Sequence, residues 1–78
     1  MRNIVKLPKL GDTADEVLVT EWAVEVGDEV NVGDPLMSVE TDKLEVDVPS
    51  PVAGRLVEQL VLAEDELTVG APIAIIES

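Results

Sequence analysis

The fold is decided by the stretch Asp28-Glu29-Val30-Asn31-Val32-Gly33-Asp34-Pro35-Leu36, which has a second copy in Asp65-Glu66-Leu67-Thr68-Val69-Gly70-Ala71-Pro72-Ile73. The match continues downstream, where Val39-Glu40-Thr41 aligns with Ile76-Glu77-Ser78. In each copy, apolar residues alternate with polar ones and a Gly marks the middle, a pattern typical of two short strands joined by a turn. The sequence therefore contains an internal repeat of strand–turn–strand units.

The repeat extends upstream as well. Leu18-Val19-Thr20-Glu21-Trp22 aligns with Leu56-Val57-Glu58-Gln59-Leu60 when one residue of slip is allowed between the two blocks. We interpret the chain as two copies of one four-strand unit. Because such a unit is too small to bury its own apolar face, we expect the copies to pack on each other as a two-sheet sandwich with approximate two-fold symmetry.

The positions of Gly, Pro and Asp divide the β-branched segments into short strands. Eight strands are predicted, over residues 3–7, 16–24, 29–32, 35–41, 44–48, 54–62, 66–69 and 71–76. Little or no helix is expected. We predict one all-β domain spanning residues 1–78, a flattened barrel or sandwich of two four-stranded antiparallel sheets.

Composition excludes several classes of function. The 17 acidic and 5 basic residues give a formal net charge of -12, which repels nucleic-acid phosphates and anionic lipid, so neither is an expected partner. Histidine and cysteine are absent, so the usual catalytic triads and zinc sites cannot form, and we predict no catalytic residue and no metal. No apolar run approaches the roughly 20 residues of a membrane-spanning helix, and the N-terminal residues lack the apolar region of a signal peptide.

The segment from Val39 to Val48 predicts a hairpin whose turn contains Asp42 and Lys43. Lys43 is the only basic residue between Lys9 and Arg55, and its sequence neighbours are rich in Asp and Glu. Acidic neighbours favour the charged ammonium, whereas a lysine that attacks a substrate requires conditions that favour the free amine. Lys43 is therefore better suited to being modified by another enzyme than to catalysis. An ordinary solvent-exposed turn lysine remains the simple alternative.

The whole succession of motifs resembles the lipoyl domains of E2 acyltransferase subunits of 2-oxo acid dehydrogenase complexes. The resemblance is carried by Lys6-Leu7-Pro8-Lys9-Leu10-Gly11-Asp12, Trp22, Val26-Gly27-Asp28-Glu29-Val30, Gly33-Asp34-Pro35-Leu36, Glu40-Thr41-Asp42-Lys43, Glu45-Val46-Asp47-Val48-Pro49-Ser50-Pro51 and Ala53-Gly54. These motifs cover essentially the entire chain, so the resemblance is specific even though a lone Asp-Lys pair is not.

The resemblance implies a flattened β-barrel with Lys43 at the tip of a tight turn at one end and both termini at the other. It implies lipoate in amide linkage to Lys43, attached by a lipoate ligase or a lipoyl/octanoyl transferase. The lipoyl-lysine would accept an acyl group from a thiamine-diphosphate E1, deliver it to the E2 catalytic core for transfer to coenzyme A, and be reoxidised by dihydrolipoyl dehydrogenase (E3). The domain itself is expected to be a monomer, in the bacterial cytoplasm or, in a eukaryote, the mitochondrial matrix.

The resemblance also implies that Glu40, Thr41, Asp42 and Leu44 help the ligase and E1 to recognise the turn. A surface loop that includes Gly11, Asp12 and Thr13 resembles the one that lies beside the lipoyl turn and contributes to selection by E1. Ordinary turn and strand chemistry is the alternative for the first group. A solvated connection between strands is the alternative for the second group.

Two other functions stay open. A biotinyl carrier of a carboxylase shares the fold and the lysine hairpin, but its lysine usually lies between two methionines, where this chain has Asp42 and Leu44. An unmodified acidic module that binds a basic partner is a further alternative. A metal-dependent enzyme using Asp42, Glu45 and Asp47 lacks the spacing of a known calcium loop. The 2-oxo acid could be pyruvate, 2-oxoglutarate, a branched-chain acid or the substrate of an acetoin system.

Overall fold

The computed structural model describes residues 1–9, 16–41 and 44–78 of the chain. Its strands are β1 (Arg2–Lys6), β2 (Glu16–Trp22), β3 (Glu29–Val30), β4 (Pro35–Glu40), β5 (Glu45–Pro49), β6 (Gly54–Gln59), β7 (Glu66–Thr68) and β8 (Pro72–Glu77). Each of the eight predicted strands has a counterpart. Within the described ranges, no helix has the length and apolar character needed to cross a membrane.

The strands form two four-stranded antiparallel sheets, as predicted. The first sheet has the order β1-β8-β6-β3 and the second has the order β5-β4-β2-β7. Each sheet contains two strands from each half of the chain, so the repeats interleave and neither half forms a sheet alone. Among the described residues, fifteen buried apolar side chains make one core between the sheets; thirteen lie on the strands, and Leu7 and Val61 lie just beyond β1 and β6. Because of this interleaving, each copy of the repeat buries its apolar face only against the other copy.

A constant offset of 37 residues relates β2–β4 to β6–β8. Val19 pairs with Val39, and Leu56 pairs with Ile76 in the same way, with a register shift directly after both pairs. The predicted slip of one residue, which placed Leu18 on Leu56, is therefore wrong. Val19 is the true equivalent of Leu56, because both side chains are fully buried, whereas Leu18 is half-exposed. Displacing a strand by one residue would exchange its two faces.

The predicted strands 16–24, 29–32 and 54–62 extend beyond β2, β3 and β6, which end earlier. Turns built on aspartate end them. In each turn an Asp carboxylate accepts a hydrogen bond from the backbone N–H three residues before it: Asp28 from Glu25, Asp34 from Asn31 and Asp65 from Leu62, each at 2.9 Å. Such side-chain bonds compete with strand pairing, which the apolar pattern alone does not reveal.

Gly54 opens β6 at a point of close backbone approach. A Cβ atom at this position would overlap the carbonyl oxygen of Glu77 on the neighbouring strand β8. The residue also has a φ of 157°, at the margin of the positive-φ range that side chains with a Cβ rarely adopt. A glycine is therefore required here for β6 and β8 to pair.

Candidate functional site

The site is the end of the hairpin formed by β4 and β5. The last paired residues of the two strands are Glu40 and Glu45, and beyond them the Thr41 backbone N–H donates to the Leu44 carbonyl at 2.8 Å. Only Asp42 and Lys43 separate Thr41 from Leu44 in the sequence, and both lie outside the described residues. The structure therefore fixes the two residues that flank the predicted attachment dipeptide.

The Thr41 side chain closes the same gap. Its hydroxyl donates to the Leu44 carbonyl oxygen at 3.0 Å, and the Leu44 N–H points back to the hydroxyl oxygen Oγ1 at 3.4 Å. Thr41 is 6% exposed, whereas Leu44 is 56% exposed. The hairpin end thus combines a buried polar anchor on one strand with an apolar side chain open to solvent on the other.

Strand pairing places this hairpin end far from the chain termini. Leu18 near the start of β2 lies opposite Glu40, so the start of β2 is at the hairpin end that adjoins Asp42 and Lys43, which we call the lysine turn. Strand β7 pairs with this part of β2. Strand β8 follows β7 after a short turn and therefore begins near the lysine turn. At the far end of β8, the Ser78 N–H donates to the Met1 carbonyl at 2.9 Å. By the pseudo-two-fold symmetry, Thr41 corresponds to Ser78, so the lysine turn and the termini occupy equivalent positions at opposite ends.

The two ends differ in charge. Next to the lysine turn, one row across the second sheet consists of Glu45, Glu40, Leu18 and Glu66. The equivalent row on the first sheet consists of Arg2, Glu77, Arg55 and Glu29. There the charges pair, with Arg2 3.5 Å from Glu77 and Arg55 3.7 Å from Glu29. The described strands β2, β4, β5 and β7 contain no base, so the acidic row beside the turn has no such partner on its own sheet.

A shallow groove of about 350 Å³ runs beside the hairpin end, lined by Glu16, Val17, Leu18, Glu40, Thr41 and Glu66. A larger depression of about 660 Å³ lies at the equivalent place near the termini, where Arg55 replaces Leu18 and Ser78 replaces Thr41. Both are open surface features. The position of the second depression reflects the pseudo-two-fold symmetry, and it lies at the end of the molecule opposite the β4–β5 hairpin end.

Of the site residues predicted from the sequence, the structure brings together Glu40, Thr41 and Leu44 at one hairpin end. The remaining predicted residues, Gly11, Asp12, Thr13, Asp42 and Lys43, lie outside the described residues. Sequence reasoning missed Glu16, Leu18 and Glu66, which β2 and β7 carry to the same end. The two pairings, β2 with β7 and β6 with β3, are equivalent under the repeat. The repeat shows which strands are equivalent, but it does not show which strands pair, so these residues could not be assigned to the site from the sequence.

The family model described as "Biotin-requiring enzyme", which covers biotin and lipoyl attachment domains, matches residues 3–76. The chain is 47% identical over 70 residues to the dihydrolipoyllysine-residue acetyltransferase component of the pyruvate dehydrogenase complex of Corynebacterium glutamicum, covering 90% of this chain and 10% of that protein. It is 37% identical over 78 residues to the succinyltransferase component of the 2-oxoglutarate dehydrogenase complex of Bartonella vinsonii, covering 100% of this chain and 19% of that one.

Among solved structures, the lipoyl domain of the 2-oxoglutarate dehydrogenase complex of Azotobacter vinelandii superposes with a TM-score of 0.73. The match covers 96% of this chain and 95% of that domain, at 20% identity, and it confirms the fold. The chain spans between a tenth and a fifth of the length of the two enzyme components. The match over nearly all of its residues establishes that this chain belongs to the biotin and lipoyl attachment family of carrier domains, on the lipoyl branch found in E2 acyltransferases.

Proposed function

We propose that this chain is a lipoyl carrier domain with lipoate attached through an amide bond to Lys43. The observation that carries the proposal is the closed hairpin end, where Thr41 and Leu44 are hydrogen-bonded across a two-residue segment that contains Lys43. Such a closed hairpin end gives a short connecting segment little freedom to fold back over the sheet. Lys43 would hold the lipoate, whose cyclic disulfide would supply a carrier for an acyl group between a thiamine-diphosphate E1 and the E2 core, with dihydrolipoyl dehydrogenase as the enzyme that would reoxidise the resulting dithiol.

In this proposal the domain positions the lipoyl group for its partner enzymes. Its residues hold the modified lysine at one end, and the chain ends Met1 and Ser78 meet at the other. Any chain that continues from either terminus leaves from the face opposite the lysine, so the lipoyl group can reach partner active sites without obstruction. Tethering keeps the group at a high effective concentration near each of them. The catalytic groups belong to the partner enzymes, which this acidic domain meets in the bacterial cytoplasm or the mitochondrial matrix.

Biotin is the competing cofactor because the family includes both kinds of carrier. Two observations favour lipoate. The residues flanking Lys43 are Asp42 and Leu44, whereas the biotinyl signature has methionine on both sides, and the only methionines here are Met1 and Met37. The relatives from Corynebacterium glutamicum and Bartonella vinsonii are both named as dihydrolipoyllysine-residue acyltransferase components.

The test is intact-mass spectrometry after incubation with a lipoate ligase, lipoate and ATP, with a biotin ligase and biotin in a parallel sample. We expect one lipoyl increment on the wild-type chain and none on Lys43→Arg. The matched controls Lys6→Arg and Lys9→Arg, which alter exposed lysines, should be labelled like the wild type. A biotinyl increment would establish the alternative carrier, labelling of Lys43→Arg would place the site elsewhere, and no increment would favour the unmodified interaction module.

The identity of the 2-oxo acid depends on the E1 partner. The two relatives belong to complexes named for different substrates, pyruvate and 2-oxoglutarate, and they are 47% and 37% identical to this chain. Reductive acylation of the lipoylated domain by E1 enzymes of pyruvate, 2-oxoglutarate, branched-chain and acetoin systems would discriminate between them. We expect one E1 to exceed the others in kcat/KM, since selection by the carrier turn is part of the proposal.

A further inference from the structure

We propose that Thr41 is a positioning residue for Lys43: its hydroxyl holds the hairpin end in the one conformation that the modifying enzyme accepts. This inference rests on the proposed function. Thr41 is one of two buried polar residues among the described positions, and among those positions its hydroxyl bonds to Leu44, the residue that follows Lys43. These hydrogen bonds stabilise the hairpin end itself rather than contacts between strands.

The bonding pattern makes the task specific. A two-residue turn is ordinarily closed by the carbonyl oxygen of the first residue, which accepts from the N–H of the fourth. Here the Thr41 hydroxyl oxygen receives the Leu44 N–H, at 3.4 Å, and the same hydroxyl donates to the Leu44 carbonyl at 3.0 Å. The Thr41 backbone N–H also donates to that carbonyl, at 2.8 Å. Both polar backbone groups of Leu44 are therefore anchored on Thr41, and two of the three contacts need the hydroxyl.

Peptide planarity carries this constraint to the lysine. The Leu44 N–H belongs to the peptide group that joins residues 43 and 44, and the six atoms of a peptide group lie close to one plane. An anchor on the Leu44 nitrogen therefore restrains the orientation of the bond that leads back to Lys43. Of these three contacts, the Thr41 N–H bond is the one that does not need the hydroxyl, and it holds the Leu44 carbonyl, on the side of Leu44 away from Lys43.

The pseudo-symmetric end of the molecule supports a role for the hydroxyl in closing this gap. Ser78 corresponds to Thr41, and Met1 takes the place of Leu44. There the Ser78 N–H donates to the Met1 carbonyl at 2.9 Å and the Ser78 hydroxyl lies 3.4 Å from the same oxygen. The distance from the hydroxyl to the carbonyl oxygen is 3.4 Å at the end with the termini and 3.0 Å at the hairpin end. The tighter hydroxyl contact accompanies the end that carries the predicted attachment site.

Removal of the Thr41 hydroxyl should weaken binding of the domain to the ligase rather than slow the attachment reaction in the bound complex. If the productive conformation of the turn becomes a fraction of the population, the apparent binding constant weakens by that fraction, while the bound complex reacts normally. We therefore expect Thr41→Val to raise KM for lipoylation by about three- to tenfold, the range set by one hydroxyl hydrogen bond, with kcat nearly unchanged. Thr41→Ser, which keeps the hydroxyl, should restore KM to within about twofold of the wild type.

A matched control is available in Thr20, a half-buried threonine on β2 whose hydroxyl donates to the Ser38 carbonyl at 3.0 Å. Thr20→Val removes a comparable hydrogen bond elsewhere in the same sheet. We expect it to lower the midpoint of thermal unfolding to a similar degree without raising KM. Hydrogen exchange of the Leu44 amide in the unmodified domain gives a second readout, and it should accelerate in Thr41→Val and remain unchanged in Thr20→Val.

The experiment measures lipoylation kinetics of the four folded proteins with lipoate ligase, lipoate and ATP, together with their amide exchange. A higher KM confined to Thr41→Val and rescued by serine would support the proposal. An unchanged KM, an equal rise in Thr20→Val, or failure of serine to restore the wild-type value would overturn it. Failure of the proposed function is distinguishable, because the wild-type domain itself would then gain no lipoyl mass.

Discussion

Trp22 and Gln59 occupy equivalent positions in the two halves of the chain, and each binds the backbone of the other half. Trp22 Nε1 donates to the Val61 carbonyl at 3.0 Å, and Gln59 Nε2 donates to the Val24 carbonyl at 3.0 Å. The acceptors are themselves equivalent under the offset of 37 residues. An indole and a carboxamide thus make the same crossed connection, although they share neither shape nor size.

These crossed bonds should stabilise the interleaved repeats. We expect Trp22→Phe to lower the free energy of unfolding by about 1–2 kcal/mol, since it removes one hydrogen bond and part of a half-buried ring. Gln59→Met, which keeps the length of the side chain, should cost about 1 kcal/mol. Urea denaturation followed by far-UV circular dichroism measures both. The exposed neighbour Glu58→Gln is the control, and an equal loss there would contradict a role for the crossed bonds.

Glu64 holds the position that Gly27 holds in the first half, and both residues have a positive φ, 75° and 100°. For a residue with a Cβ, this conformation costs roughly 1 kcal/mol. We expect Glu64→Gly to raise the free energy of unfolding by about 1 kcal/mol or slightly less, and Gly27→Ala to lower it by a similar amount. Glu64→Ala separates backbone strain from charge. If it stabilised the domain as much as glycine does, removal of an acidic charge would be the cause.

The fold followed from the sequence to a large extent because apolar alternation and the Asp and Gly turn residues act locally. The symmetry was also visible, but the slip that placed Leu18 on Leu56 was wrong, since two neighbouring aliphatic residues look alike in a sequence. Only the register shift after Val19 and the burial of its side chain select the correct alignment. Three strands were predicted too long because the hydrogen bonds of the aspartate turns that end them cannot be recognised in the apolar pattern.

The candidate site was less accessible to sequence reasoning. Glu40, Thr41 and Leu44 were identified because they adjoin Lys43 in the chain, but Glu66 reaches the same end through the pairing of β7 with β2. Such pairing depends on which sheet each repeat joins, and the sequence does not state that choice. The role of the Thr41 hydroxyl was likewise hidden, because a threonine before a turn has many possible partners.

The hairpin end predicts that the position of the lysine matters and not just its exposure. Exchanging residues 43 and 44, so that leucine precedes lysine, moves the amine to a position whose backbone groups are both bonded to Thr41. We expect the exchanged variant to fold but to lose lipoylation by at least about tenfold, because the amine no longer lies in the segment between the two anchors. Intact mass and thermal unfolding check both parts. Efficient labelling of the shifted lysine would show that exposure alone suffices.

The acidic row beside the turn predicts a charge effect on acylation by E1. Glu40 and Glu77 are equivalent residues, but Glu77 lies 3.5 Å from Arg2, whereas the row of Glu40 contains no base. A net acidic surface accelerates encounter with a basic partner and is screened by salt over about 10 Å at 0.1 M. We therefore expect Glu40→Gln to reduce kcat/KM for reductive acylation by about three- to tenfold at low salt, and less at high salt.

Glu77→Gln is the matched control because it removes the same charge from the same domain at the opposite end. If Glu40 acts through local complementarity with E1, only Glu40→Gln should slow acylation, and the salt dependence should flatten in that variant alone. If net charge alone steers the encounter, the two variants should behave alike. Equal rates for both variants and the wild type would instead indicate that E1 selects the domain through residues elsewhere, among which the segment containing Gly11, Asp12 and Thr13 is the next to test.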